Sequence, residues 1–271
     1  MLNIFLKILQ TTTLKALVLK KAIKLSLTEN QEDVLRKLLV KLGFTKFSIK
    51  VELPQQKGSL FVPALEYWRV SELSSGSFEP WLLNYLKPEE GGIAVDIGSH
   101  IGYHTLFLSK NVKESGKVVS IEPHPVNFQL LKRNLKENNC NNVVPIEAAL
   151  SETNCYGKLY SAKYSSEYSI NCNGQKKYLP VRVFSLDSLL ETLHIDNVNL
   201  IKIDVEGAEL PVLKGAEKTL TESKRLSIIC EIHDPQTNNS DCAVCKYLTS
   251  KGFMIKTIKN LTDRRHIYAY K

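Results

Sequence analysis

Acids stand in this chain at the ends of short apolar runs: Asp96 in 93–97, Glu122 after 118–121, Glu147 within 143–148, Asp204 and Glu206 after 200–203, and Glu231 in 226–232, with His233 behind it. A carboxylate set against apolar residues costs several kcal/mol unless it is paired or employed. Five strand-like runs closing in this way therefore point to one shared polar site. Asp204 and Glu206 lie two positions apart, and two acids so close cannot both ionise cheaply, which raises one towards neutrality and poises it to take a proton. Glu206, Glu231 and His233 are the candidate catalytic residues, with Glu206 or His233 foremost as base, while Asp204 is expected to face a cofactor. His233 read as a satisfied histidine at the strand end remains the plain alternative.

The turn Asp96-Ile97-Gly98-Ser99-His100-Ile101-Gly102 leads into a helix. A dinucleotide fold wants Gly-x-Gly-x-x-Gly so that a pyrophosphate meets bare backbone; here His100 and Tyr103 stand at the second and third glycine positions. Gly98 still admits close backbone approach, and the helix start near Gly102 attracts a negative group, which a carboxylate satisfies as well as a phosphate. Glu122, at the end of the next strand, is placed to accept hydrogen bonds from both hydroxyls of a ribose. A ligand with a ribose and an amino-acid end but no phosphate matches this set, and S-adenosylmethionine is the candidate. Asp96 would orient the turn and meet the ammonium group, or cap the helix that follows. Gly98 and Ser99 would line the methionine part. Glu147 or the Ala148 backbone would read the adenine amino group, with a plain surface role for Glu147 as the alternative. Tyr103 and Trp81 are candidates to hold the cation over a ring face, or simply packing residues. Asn127 and Asn134 read as surface or capping groups.

The elements that must position these groups alternate from residue 92 onward: strand 93–97, helix 102–112, strand 118–121, helix 125–137, strand 143–148, then strand 200–204, helix 209–221, strand 226–232 and helix 241–251. Strand, helix, strand at this spacing implies right-handed crossovers and a parallel sheet buried on both faces. Between 150 and 199 the rhythm breaks into Tyr-rich strands at 159–168 and 179–184 and a helix at 185–193; this region, with Tyr156, Tyr160, Tyr164 and Tyr168, is expected to shape an acceptor pocket. The tail, 253–258 and 266–270, reads as an antiparallel pair at the sheet edge. Upstream, a capping box at Thr28-Glu29-Asn30-Gln31 opens a helix that stops at Gly43. Residues 44–75 read as a small hairpin region, and Ser77-Phe78-Glu79-Pro80 opens a short helix ending at Pro88. Two domains are expected, 1–75 and 76–271.

Composition excludes several classes. Of 271 residues, 43% are hydrophobic and 24% charged, too ordinary for disorder. The net charge of +8 suggests nucleic acid, but five lysines and no acid fall within residues 1–28 and the body is nearly balanced; no nucleic-acid partner is expected. The lysines also cut the N-terminal apolar stretch well below the roughly 18 residues of a spanning helix, and no signal peptide is expected. Residues 1–27, two short basic amphipathic pieces, suit either peripheral contact with an anionic membrane or packing on the protein. Six cysteines are too sparse for a disulfide scaffold, so a cytoplasmic location is expected. Cys242 and Cys245 lack a second pair for zinc and fall with Leu248 on one face of a helix capped by Asp241, the pattern of buried cysteines. No metal is expected.

The ordered set Phe78-Glu79-Pro80, Val95-Asp96-Ile97-Gly98-Ser99-His100-Ile101-Gly102-Tyr103, Ser120-Ile121-Glu122-Pro123, Ala148-Ala149-Leu150-Ser151, Leu186-Asp187-Ser188-Leu189 and Ile201-Lys202-Ile203-Asp204-Val205-Glu206-Gly207-Ala208-Glu209 resembles the FkbM-type branch of the class I S-adenosylmethionine-dependent methyltransferases, over about residues 78–270. The family usually has Asn where His100 stands. The resemblance implies an α/β Rossmann-like fold, a seven-stranded mostly parallel sheet with one antiparallel strand, and methyl transfer mostly to hydroxyls of sugars, lipids or secondary metabolites. It implies cofactor contacts from Glu79, Asp96, Gly98, Ser99, His100, Gly102, Tyr103, Glu122, Pro123, Glu147, Ala148 and Asp204. A nicotinamide-dependent oxidoreductase and a non-catalytic cofactor-binding module are the competing readings.

Overall fold

The computed structural model describes residues 29–44, 47–160, 178–233, 242–261 and 264–271. The expected helical pieces and membrane arm over 1–27, most of the strand expected at 159–168, and Asp241 lie outside these residues. The chain divides into two compact units between Pro80 and Trp81.

In the first unit, helix α1 (Glu29–Lys41) is followed by strands β1 (Ser48–Leu53) and β2 (Gly58–Pro63), paired antiparallel from Ser48↔Pro63 to Leu53↔Gly58. Residues 64–75 are not part of a hairpin region as expected. After one 3-10 turn they form helix α2 (Tyr67–Ser75), because Tyr67, Val70 and Leu73 recur at helical spacing and are all buried. Glu79 is half-buried, with φ +42.

The second unit opens with a 3-10 turn, Leu82–Asn84, in place of the helix expected up to Pro88. Its main strands are β3 (Ile93–Ile97), β4 (Lys117–Ile121), β5 (Val143–Ile146), β9 (Leu200–Ile203), β10 (Ser227–Ile232), β11 (Met254–Asn260) and β12 (Arg265–Tyr270), and they form a seven-stranded sheet in the order β11-β12-β10-β9-β3-β4-β5. β12 runs antiparallel to both neighbours, second from the edge, and β10, β9, β3, β4 and β5 pair with one another in parallel. The helices between strands are α3 (Tyr103–Val112), α4 (Pro125–Glu137), α5 (Leu186–Thr192), α6 (Glu209–Lys214), α7 (Glu217–Glu222) and α8 (Ala243–Ser250). The chain steps from β3 outward to β5, then returns to the other side of β3 for β9 and β10. Right-handed crossovers in opposite directions place the two sets of helices on opposite faces. The reversal at β3 and β9 is the switch point where open α/β sheets hold their ligands. Among the described residues, no helix is long and apolar enough to cross a membrane.

Strand register explains why the acids meet. Ile146 pairs with Ile121, Ile121 with Ile97, Ile97 with Ile203, and Ile203 with Cys230. These five form one buried or half-buried row across the sheet, each large side chain contributing about 2 kcal/mol of burial. The residue after each forms the next row: Glu147, Glu122, Gly98, Asp204 and Glu231.

Two further elements differ from expectation. The helix expected over 209–221 is two short helices parted at Gly215, where a Cβ would come within 2.1 Å of the Ser151 carbonyl oxygen. Strands β6 (Ala149–Leu150), β7 (Cys155–Tyr160) and β8 (Tyr178–Phe184) form a separate small sheet, ordered β6-β8-β7. Cys242 occupies the N-cap of α8, its Sγ accepting from the Cys245 N–H at 3.3 Å; both cysteines are buried with Leu248.

Candidate active site

The turn leaving β3 is fixed from beneath. Asp96 is wholly buried; its Oδ2 accepts a 2.6 Å hydrogen bond from Thr105 Oγ1 on α3, and its Oδ1 lies 3.6 Å from Lys202 Nζ on β9. Ser120 Oγ donates to Ser99 Oγ at 2.8 Å, and Ser99 Oγ donates to the Asp96 carbonyl at 2.8 Å. Thr105 and Ser120 close the ring at 3.1 Å. Each hydroxyl has one proton, and those of Thr105 and Ser120 are committed to Asp96 and Ser99. The closing contact thus shares a proton, and the other three bonds hold the ring.

Above this ring the backbone doubles back. The N–H groups of Gly98 and Ser99 both donate to the Ile121 carbonyl at 3.0 Å. Gly98 has φ +79, and a Cβ there would lie 1.7 Å from the Asp204 carbonyl oxygen, so the turn and the end of β9 touch backbone to backbone. His100 has φ +51, a left-handed conformation that Asn and His tolerate better than most side chains. That tolerance is a physical reason for His to stand at this turn. Gly102, with φ +95, caps α3 without a side-chain contact.

Glu122 sits in the acid row with three donors around it. Its Oε2 accepts from the His100 N–H at 2.9 Å, and its Oε1 accepts from the His124 N–H at 2.9 Å and from Asn127 Nδ2 at 3.3 Å. Burial pushes this carboxyl up, against the nearby His100 and these hydrogen bonds, which favour the charged form. His124 caps α4, its Nδ1 accepting from the Asn127 N–H, and burial, with the His100 charge, depresses it to about 4. Asn134 Nδ2 donates to the Ile101 carbonyl at 2.8 Å. Asn127 and Asn134, expected as surface or capping groups, are instead buried and clamp the loop. The signal for them was the helical spacing that puts both on the face of α4 carrying Leu131.

At the other end of the row the charges pair off. Lys202 Nζ lies 3.2 Å from Asp204 Oδ2 and donates to the Gly98 carbonyl at 3.3 Å. His233 Nδ1 meets Glu209 Oε1 at 2.8 Å, and its Nε2 lies 3.3 Å from Glu206 Oε2 and 3.5 Å from Glu231 Oε1. Glu209 is fixed in turn by the Gly207 N–H at 2.8 Å. Glu231 also meets His266 Nε2 and Arg264 Nε, each at 3.0 Å. Burial opposes charge on His233, but hydrogen bonds to Glu209 and Glu231 and the charges of Asp204 and Glu206 push it up to about 11. Burial would raise Glu231, yet His233 and His266 hold it well below the usual carboxylate range. Raised in this way, His233 faces the surrounding carboxylates as a donor and counter-charge. Asp204 lies beside Lys202 and Glu206 beside His233, which offsets the repulsion expected between the two acids. Side-chain polar atoms of Asp204, Glu206 and His233 lie within 4.8 Å of one another.

Lys202 was missed in the sequence as a participant; its signal was a lysine in an otherwise apolar run, Leu200-Ile201-Lys202-Ile203, and it is buried there. Tyr103 is buried with its ring 5.1 Å from that of His104, and Trp81 packs edge-on to His266 at 4.7 Å. Pro123 is half-buried, Glu147 is exposed and Ala148 is buried.

The family model described as the methyltransferase FkbM domain matches residues 96–264. The hexuronic acid methyltransferase AglP of Haloferax volcanii is 32% identical over 174 residues, covering 62% of this chain and 66% of that protein. Methyltransferase 1 of Beauveria bassiana is 27% identical over 183 residues, covering 59% of this chain and 72% of that protein. Among solved structures, a methyltransferase FkbM from Methylobacillus flagellatus aligns with a TM-score of 0.48 at 19% identity, over 77% of this chain and 54% of that one.

Proposed function

Because the chain belongs to the FkbM methyltransferase domain family, we propose that it transfers a methyl group from S-adenosylmethionine to a hydroxyl group of a sugar, glycolipid or secondary metabolite. The observation that carries this reading is Glu122, held at the end of β4 beside a turn whose backbone is bare at Gly98. The residues fit the cofactor. A carboxylate has about four lone-pair positions; three donors occupy Glu122, and the open position is on Oε2, where one ribose hydroxyl would donate. A nicotinamide dinucleotide fits less well, since His100 and Tyr103 stand where its pyrophosphate would need glycine. The relative that acts on a hexuronic acid supports a sugar acceptor.

S-adenosylmethionine, when bound, supplies an electrophilic methyl group on a sulfonium centre. The chain's own part is to position and to exclude water. The hydroxyl ring under Asp96 and the Lys202 bridge from Gly98 to Asp204 hold the turn and the end of β9 at a set distance. Glu206 takes the acceptor's hydroxyl proton, and His233, protonated beside it, balances the charge.

Incubation with donor labelled in the methyl group, in the presence of glycan, lipid and protein fractions, tests the reading. Label in a glycan or lipid fraction that survives mild alkali, as a methyl ether does, is expected. Label released by alkali, as from a methyl ester, would contradict the hydroxyl assignment, and cofactor binding without transfer to any fraction would favour a non-catalytic module.

A further inference from the structure

The small sheet leaves one face outside the machinery above. β7 and β8 pair antiparallel, with Tyr156 opposite Arg182, Lys158 opposite Pro180 and Tyr160 opposite Tyr178. Alternation along a strand puts these six side chains on one face of the ribbon, over about 13 Å of strand. On the reverse face Leu159, Val181 and Val183 are buried and pack with Ala149 of β6, while Cys155 and Leu179 at its ends are exposed. On the outer face Tyr156 is 84% exposed and Tyr178 48%. Lys158 Nζ stands 4.6 Å over the Tyr178 ring, and the Tyr160 and Tyr178 rings are 6.1 Å apart. Aromatic residues grouped on one exposed face form the kind of contiguous patch that marks a binding surface. β6 follows Glu147 and pairs with β8, so the ribbon is anchored next to the acid row.

We propose that this outer face binds an acidic saccharide, its tyrosines packing against sugar rings and Lys158 and Arg182 pairing with carboxylates. Charge complementarity supports the choice: the six side chains of this face include two cations, Lys158 and Arg182, and no acid. Tyrosine rings suit the apolar faces of pyranoses because they are rigid and lose little entropy on binding. Two cations on the face match one or two carboxylates, whereas nucleic acid would require a longer basic track along its phosphates. The inference rests on the sugar-directed reading above and adds to it the chemical class of sugar and the surface that selects it.

Calorimetric titration of the full chain with trigalacturonate, maltotriose and a hexauridylate RNA tests the face. Trigalacturonate is expected to bind saturably and maltotriose at least tenfold more weakly. Lys158→Glu with Arg182→Glu should weaken trigalacturonate by about tenfold or more, and Tyr156→Ala by about threefold or more. Equal binding of maltotriose, tighter binding of the RNA, no binding of trigalacturonate, or variants that bind it as the parent does would overturn the proposal. Titration of the same samples with S-adenosylmethionine separates the two readings. Donor binding should be unchanged in these surface variants, and its absence from the parent would count against the methyltransferase reading and not against this face.

Discussion

His100 shows how a single position combines backbone and chemistry. Its side chain is tolerated in a left-handed conformation while its N–H feeds Glu122. His100→Asn should keep stability within about 0.5 kcal/mol, because Asn accepts the same backbone. His100→Val should lose about 1–2 kcal/mol to strain. Urea denaturation of the two variants checks this, and equal losses would contradict it. The acids at this scale were legible in the sequence because a carboxylate beside an apolar run is conspicuous. Asn127, Asn134 and Lys202 were less so. An amide on a helix or one lysine in a strand has an ordinary surface reading, and only the tertiary partner, Glu122, Ile101 or Asp96, distinguishes the two.

At the scale of elements, the site is made by register. The Ile146–Ile121–Ile97–Ile203–Cys230 row sets Glu147, Glu122, Gly98, Asp204 and Glu231 one residue beyond it, and the Gly98 turn closes against β9 because no Cβ intervenes. Gly98→Ala should therefore destabilise by on the order of 3 kcal/mol, and by more than Gly252→Ala, whose Cβ would meet nothing within 4 Å; comparing the thermal midpoints of the two decides it. The parallel strands were legible because strands buried on both faces read as short apolar runs bounded by turn residues. α2 was not: its apolar face is only Tyr67, Val70 and Leu73, and the serines around it resemble a loop. The break at Gly215 was hidden for another reason, since the contact with the Ser151 carbonyl lies far away in sequence.

Over the whole molecule, the cluster around His233 couples stability to pH. His233 is raised from 6.5 to about 11, so its contribution is fully present below about 6.5 and is lost as pH rises through about 11. Glu231 is lowered from 4.5, so its contribution is present above about 4.5 and is lost as pH falls through its folded value. Between about 4.5 and 6.5 both act together, and the cluster's contribution to the urea midpoint should be greatest there. His233→Gln should flatten the alkaline limb and cost about 3 kcal/mol, since it leaves Glu206, Glu209 and Glu231 without their shared cation. An alkaline limb unchanged by that substitution would contradict the assignment of charge to His233. Cofactor binding as a whole depends on a ribose held at position 122. Titrating the parent protein and Glu122→Gln with S-adenosylmethionine by calorimetry tests it most directly. The account predicts one saturable site in the parent, weakened by about tenfold or more in the folded variant, whose amide would face a backbone N–H and lose the charge. Equal affinity in the two proteins would contradict it.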